Sequence, residues 1–351
     1  MKFFSVVGTR PNFVKEFLIN RECRKRALRE IVVHTGQHYD YEMSQVFFDG
    51  FHLPKPDYHL GIENLNSAQF TAEVILQLND LIVKERPDFV LSYGDVNSTL
   101  AAAVACTKNH IPFAHVEGGI RSQDLYNPEE INRRVADVLA EVIYCCTKTD
   151  VSNLERENYA SERIVLAGDL MNDALMHTLT THRIEVHRGD YMVLTLHREE
   201  NVMDPKRLVS IFDGLIQSNR KIVFSAHPRT LKQIERNGIG KRLARSKIEV
   251  MKPMGYLEFV RLTAGADKVL TDSGGVRREA YLMKKPCVVL IELSWFPEIF
   301  EAGWKVLTGP DSERIARLVN EFEPTGEHRN IFGDGKAYEK IVNDLEKRFE
   351  K

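Results

Sequence analysis

No stretch of this 351-residue chain approaches the roughly 18 consecutive apolar residues of a membrane-spanning helix. The opening MKFFSVVGTRPN offers an apolar run of only about five residues before Gly8, too short for a signal-peptide core. Both absences point to a cytoplasmic protein without a membrane partner. Charge of one sign is not in excess either: 48 Lys+Arg against 50 Asp+Glu leave a net charge of -2, which argues against nucleic acid as the main partner. Cysteine is sparse. Cys23, Cys106, Cys145, Cys146 and Cys287 form an odd set without ligand-like spacing, as expected of reduced thiols, and the adjacent Cys145 and Cys146 face opposite sides of an expected strand. Neither zinc nor a disulfide is expected. The pair His34 and His38 in HTGQH has the spacing of helical metal ligands, but Gly36 and the preceding IVV place it at a strand end, where a polar loop is the better description. No Walker A sequence and no G-x-G-x-x-G follows the first apolar run, so the usual fingerprints of NTPases and dehydrogenases are missing.

What is present is a two-domain length and an alternating pattern. The chain is longer than a single hydrophobic core supports, and 43% hydrophobic with 28% charged residues describes ordinary globular domains. Short β-branched or aromatic runs recur, each followed by a segment with helical spacing, the pattern of parallel sheets built from βαβ units. Strands are expected at Phe3–Val7, Ile31–His34, Asp88–Tyr93, Pro112–Val116, Val142–Cys145 and Ile164–Leu166, then at Tyr191–Leu196, Lys221–Ser225, Lys247–Met251, Lys268–Thr271 and Pro286–Ile291. Apolar stripes predict helices over Ser67–Glu85, Leu208–Ile216 and Ile315–Phe322. The polar stretch after Asp169 suits a surface connection, which divides the chain into Rossmann-like domains at 1–168 and 169–335. The segment 336–351 reads as an amphipathic helix able to close the second domain or pack back on the first. The fold class is therefore α/β, two doubly wound parallel sheets in tandem. Ligands of such sheets sit outside the carboxyl ends of the strands, so sheets that face each other would collect residues from both domains in one central cleft.

The chemically loaded residues do follow the expected strands. GTRPNFVK places Arg10 and Lys15 near a helix start, with Gly8 for the turn and Pro11 in the first helical turn: an anion site with two cations, or a tight turn with two solvated charges. GDVNST puts Asp95 at a turn, as a functional carboxylate or as a cap. In EGGIRS, Glu117 stands beside two glycines that let a ligand approach the backbone. PEEINRR opens a helix with Glu129 and Glu130, where the helix dipole alone would also favour acids. In the second half, LHREEN delivers His197 and Arg198, AHPR delivers His227, and DSGGVRREA follows its strand with Asp272, Ser273, Gly274 and Gly275, a hydroxyl and bare backbone N–H groups suited to a diphosphate. Glu279, one turn into that helix, is placed to accept from two ribose hydroxyls.

GTRPNFVK, TGQHYDYEMS, YGDVNST, AHVEGGIRS, PEEINR, LHREEN, AHP and DSGG, in this order, resemble the non-hydrolysing UDP-N-acetylglucosamine 2-epimerases. The resemblance implies a GT-B-type fold, a homodimer, a UDP-sugar substrate, no metal and no cofactor, and interconversion of UDP-N-acetylglucosamine and UDP-N-acetylmannosamine. It implies Asp95, Glu117 and Glu129 as acid/base carboxylates, with Lys15 and His197 in the catalytic set. Arg10, Arg133, His227, Asp272, Ser273, Gly274, Gly275 and Glu279 would then surround nucleotide and sugar. The hydrogen on C2 of an acetamido sugar has no neighbouring carbonyl to acidify it. Departure of UDP from C1 supplies the acidity, elimination gives a glycal, and protonation of either face before UDP re-adds sets the stereochemistry, which asks for more than one carboxylate. The chain departs from the family pattern at Arg277 and Arg278, and in IELSWFPE at Ile291, Trp295 and Phe296. Rival readings are a 2-epimerase for a 3-acetamido, 6-deoxy or uronate relative of the sugar, a hydrolysing epimerase, a GT-B glycosyltransferase and a nucleotide-sugar sensor.

Overall fold

The computed structural model describes residues 1–37, 55–62, 65–122, 124–292 and 296–349, apart from the side chain of Arg10. The alternating pattern resolves into two units, Met1–His177 with Ile331–Lys351, and Thr178–Asn330. The first contains strands β1 (Lys2–Val7), β2 (Arg29–His34), β3 (Tyr58–His59), β4 (Phe89–Tyr93), β5 (Phe113–Val116), β6 (Val142–Cys145) and β7 (Ile164–Leu166). Its helices are α1 (Arg10–Lys25), α2 (Ser67–Glu85), α3 (Asn97–Lys108), α4 (Pro128–Leu139), α5 (Lys148–Arg156) and α6 (Leu170–Thr181). The second contains α7 (Glu199–Val202), α8 (Pro205–Gln217), α9 (Pro228–Arg236), α10 (Gly240–Leu243), α11 (Tyr256–Ala264), α12 (Gly274–Leu282), α13 (Pro297–Glu301) and α14 (Ser312–Glu321). They surround β8 (Met192–Thr195), β9 (Ile222–Ser225), β10 (Ile248–Met251), β11 (Val269–Thr271), β12 (Cys287–Val289) and β13 (Lys305–Leu307). The last helix, α15 (Ala337–Phe349), packs on α1.

Every strand pair is parallel, in the orders β3-β2-β1-β4-β5-β6-β7 and β10-β9-β8-β11-β12-β13. Both sheets are doubly wound and buried on both faces, which is why their strands read as apolar runs without alternation. In the first, Phe4, Val6, Val33 and Val90 pack with Val74, Leu78 and the alanines of α3, while Phe3, Val7, Val32 and Phe89 face the other way toward Ile19, Ile341 and Leu345. In the second, Met192, Leu194 and Phe224 pack against Leu208, Ile211, Phe212 and Ile315. Chain order reverses between β1 and β4 in one sheet and between β8 and β11 in the other. These two switch points, at the carboxyl ends, are where the topology favours ligand binding.

One expectation is corrected, two strands were missed, and one expectation holds for its described residue. The stretch after Asp169 is no surface connection in its first half: Leu170–Thr181 is helical, and Leu170, Ala174 and Leu175 are buried, a helical i, i+4, i+5 stripe interrupted by polar residues. The strands Tyr58–His59 and Lys305–Leu307 were not expected. His34 ends β2 with its ring edge-on to Phe13 and His59; His38 lies outside the described residues. No described helix is long and apolar enough to cross a membrane.

Two consequences are measurable. Gly214 lies where α8 crosses α14, and a Cβ there would meet the Ser312 carbonyl oxygen at 2.5 Å and Ile315 Cβ at 2.8 Å. Gly214→Ala is expected to cost about 1–3 kcal/mol, read as a lower urea midpoint, and an unchanged midpoint would mean the helices are not in close contact. In the first unit, Glu16 and Glu30 each keep one buried carboxylate oxygen without a hydrogen-bond partner among the described residues. Burial, followed by the charge of Glu30, raises the Glu16 pKa well above its ordinary value; burial pushes Glu30 up to about 7, against hydrogen bonds from Ser5 and Asn20. A folded pKa above the unfolded value of about 4.3 means that the native state retains a proton the unfolded chain releases, so this group's contribution to stability falls as pH rises from about 4 to about 7. Glu30→Gln should therefore raise the thermal midpoint at pH 8 and leave it nearly unchanged at pH 4. An equal shift at both pH values would rule out the carboxylate as the source.

Candidate active site

Four loops frame the two switch points. In the first unit, β1 ends at Val7 and the chain turns at Gly8 into α1. Gly8 is required by contact: a Cβ would meet Ser98 Oγ at 2.1 Å. Asn12, one turn into α1, accepts through Oδ1 from Gly8 N at 3.1 Å and Thr9 N at 3.0 Å, and its Nδ2 donates to the Tyr93 carbonyl at 2.9 Å. One buried carboxamide thus joins the loops after β1 and β4. Lys15, one turn further along and 5% exposed, carries its ammonium to Glu117 in a buried ion pair.

Glu117 follows β5 with φ +69°, a left-handed conformation that costs a non-glycine residue roughly 1 kcal/mol or more. Its N–H donates to the Tyr144 carbonyl at 2.9 Å, as does that of Gly118 at 3.3 Å. Asp95 follows β4 and Gly94, is one-third exposed, and pairs with Arg133 of α4. Arg133 also contacts Glu130 Oε2 at 2.7 Å, and Asn132 Nδ2 donates to the Asp95 carbonyl at 2.9 Å. The two first-turn acids of α4 are not equivalent. Glu130 is fully buried between Arg133 and Arg134 and accepts from Ser122 N at 3.0 Å, so it serves the fold. Glu129 is exposed and makes no ion pair among the described residues.

In the second unit, Asp272 is fully buried after β11, and its carboxylate accepts from His197 N at 3.1 Å and Arg198 N at 2.9 Å across the switch point. Its oxygens face that loop, with His197 Nδ1 3.5 Å away and the His197 ring nearly half exposed. Ser273 caps α12, Oγ accepting from Val276 N at 3.4 Å. Among the described residues a Cβ on Gly275 would meet nothing within 4 Å, and one on Gly274 only Arg198 Nη2 at 3.9 Å, so side chains leave uncrowded a helix start whose first N–H groups have no intrahelical partner. Glu279 is buried on α12, and His227 caps α9 with its ring accepting from Arg229 N at 3.2 Å.

The residues that depart from the family pattern are largely inside. Arg277 is fully buried, donates to the carbonyls of Ser273 at 3.0 Å and Asp272 at 3.4 Å, and is pulled by burial to a pKa of about 10. Arg278 lies over the Phe296 ring at 4.8 Å, Ile291 is buried, and Trp295 lies outside the described residues. Lys305 on β13 is a second buried cation, donating to the Phe296 carbonyl at 2.6 Å; burial, then the charge of Arg277, lowers its pKa to about 7. Asn12, Asn132 and Lys305 were not singled out in the sequence. Asn12 and Asn132 lie inside quoted motifs but carry no local signal of their distant partners, and Lys305 opens a strand that was not expected.

A family model described as UDP-N-acetylglucosamine 2-epimerase matches residues 21–346. A UDP-N-acetylglucosamine 2-epimerase homolog from Methanococcus maripaludis is 39% identical, over 98% of this chain and 99% of its own. The UDP-2,3-diacetamido-2,3-dideoxy-D-glucuronate 2-epimerase of Pseudomonas aeruginosa is 38% identical, over 99% of this chain and 100% of its own. Among solved structures, the UDP-GlcNAc 2-epimerase of Methanocaldococcus jannaschii in complex with UDP-GlcNAc and UDP superposes with a TM-score of 0.88 at 35% identity, covering 98% of this chain and 99% of that one. The two doubly wound parallel-sheet domains are of the GT-B type expected from the sequence. This chain belongs to the UDP-N-acetylglucosamine 2-epimerase family and is an isomerase.

Proposed function

We propose that this chain interconverts UDP-N-acetylglucosamine and UDP-N-acetylmannosamine by eliminating UDP to a glycal and adding it back, with UDP retained. The supporting observation is a pair of cation-matched carboxylates on neighbouring strand ends, Asp95 with Arg133 after β4 and Glu117 with Lys15 after β5. Proton traffic at C2 requires groups of this type. The cations beside them, and the open N–H groups of Gly274 and Gly275 with His197, stabilise the charge that collects on the departing diphosphate. Glu129, exposed at the start of α4, is the third acid/base candidate. Arg10 and Glu279 complete the nucleotide and sugar contacts in this reading. Asp272 acts by holding His197, and His227 by starting α9. The working form is a homodimer in the cytoplasm, supplying cell-surface polysaccharide synthesis.

The 38% identity to the diacetamido-glucuronate epimerase favours a second substrate, a UDP-sugar with a further acetamido group at C3 and a carboxylate at C6. Each UDP-sugar is to be incubated with the protein in deuterated water. Deuterium at C2 of intact UDP-N-acetylglucosamine is the expected result. Exchange confined to the diacetamido-uronate would select the second substrate, free UDP would indicate hydrolysis, and no exchange with either would leave the sensor or transferase reading.

Asp95→Asn and Glu117→Gln should each slow C2 exchange by at least about 100-fold while UDP still binds. Were both variants to lose their fold, the carboxylates would be structural.

A further inference from the structure

Glu129, Arg133 and Asp137 are spaced i, i+4, i+8 and share one face of α4. The first two belong to the site already described; the third has had no role. Asp137 is fully buried. Its Oδ1 accepts from His115 Nδ1 at 2.7 Å, and its Oδ2 accepts from Gly119 N at 3.1 Å and Arg121 Nη1 at 2.7 Å. Burial alone would raise its pKa, but the hydrogen bond and charge of His115, followed by those of Arg121, hold it below the ordinary carboxylate range. His115, on β5 and equally buried, faces Gly94 O with its other nitrogen at 2.8 Å. Both ring nitrogens thus face oxygen atoms, one on each side of the ring.

The two ends of this chain of bonds are the two turns that carry the candidate carboxylates. Gly94, with φ +72°, immediately precedes Asp95, and a Cβ on it would stand 3.4 Å from Lys15 Nζ and 3.6 Å from Glu117 Oε2. Gly118 immediately follows Glu117 and lies against the His115–Asp137 bond itself: a Cβ there would meet Asp137 Oδ1 at 2.4 Å and His115 Nδ1 at 3.0 Å. Gly119, held by Asp137, completes the turn that keeps Glu117 left-handed.

We propose that His115 and Asp137 are positioning residues: a buried histidine–carboxylate pair that ties the Gly94–Asp95 turn and the Glu117–Gly119 turn to α4, setting the mutual geometry of Asp95, Glu117 and Glu129 for proton transfer. The inference rests on the epimerase reading for its catalytic consequence and on the hydrogen bonds alone for its structural one. Charge-assisted bonds between fully buried groups are stiff, and a misplacement of about 1 Å in a proton-transfer group is enough to cost about 100-fold in rate.

The test compares the full-length wild-type protein with Asp137→Asn and His115→Asn, using C2 deuterium incorporation and amide hydrogen exchange read by mass spectrometry. Asp137→Asn is expected to lower kcat about 100-fold with KM changed less than about threefold, and to speed amide exchange in both turns while the rest of the first unit stays protected. His115→Asn keeps a donor toward Asp137 but cannot reach Gly94, so it should loosen residues 93–97 and leave 117–119 protected. Unchanged kcat in Asp137→Asn, a loss carried wholly by KM, or exchange rising throughout the unit would overturn the proposal. Failure of the wild-type protein to turn over any acetamido UDP-sugar would instead sink the epimerase reading, and the amide pattern of the two variants would still decide whether the pair fixes the two turns.

Discussion

Each unit depends on a buried polar side chain that bonds backbone across the switch point of its sheet. In the first unit it is Asn12, which takes the N–H groups of Gly8 and Thr9 on one side and the Tyr93 carbonyl on the other. In the second it is Asp272, which takes the N–H groups of His197 and Arg198, while Asn201 bridges Asp272 to the Leu290 carbonyl. Loops at a switch point diverge in opposite directions, so their backbone groups have no sheet partner there. A buried N–H left unpaired costs about 1–3 kcal/mol, and a single well-placed side chain removes several such penalties at once. The same bonds hold the loops at a fixed separation, and this is what allows a ligand site to exist before any ligand arrives.

The charges follow the same logic. A chain with net charge -2 nonetheless buries Lys15, Arg133, Arg277 and Lys305 close to its candidate site. In the first unit the cations meet carboxylates: Lys15 meets Glu117 and Arg133 meets Asp95, two of the acids proposed to move a proton, while Arg133 also holds the structural Glu130. In the second, Arg277 and the α12 N-terminus concentrate positive potential around the Ser273 loop, the environment a diphosphate leaving group needs. The left-handed Glu117 belongs to the same economy of form, since a strained residue persists only where its neighbours over-determine it.

How far the sequence could be read depends on the range of the interaction being read. Strands of four or more residues and the helix Ser67–Glu85 were recognisable, because hydrophobic periodicity is local and both sheets are buried on two faces. The positions of Asp95, Glu117 and Ser273 after strands were recognisable for the same reason. Glu129 and Glu130 could not be told apart, since the helix dipole treats neighbours in a first turn alike. Helical spacing offers each acid an arginine four residues on, and only burial with the Ser122 N–H contact separates Glu130 from the exposed Glu129. Asp137 and His115 stand 22 residues apart and Asn12 and Tyr93 stand 81 apart, and no local pattern encodes such pairs. The polar residues of Leu170–Thr181 concealed a helix whose buried face includes Asn172, Asp173 and Thr178 beside Leu170, Ala174 and Leu175.

Burial also changes what the departures from the family pattern mean. Had Arg277 been exposed beside the Ser273 loop, its replacement of the usual residue would suggest altered recognition of the ligand. At zero exposure it cannot touch a ligand directly, and its guanidinium is already committed to the carbonyls of Asp272 and Ser273. Its influence is confined to the field at the helix start and to the stiffness of the loop. Ile291 is buried in the same way, among Val269, Val289 and Ala280. Of these departures, Arg278 is the described one whose charge lies against a residue of the neighbouring loop, over the ring of Phe296.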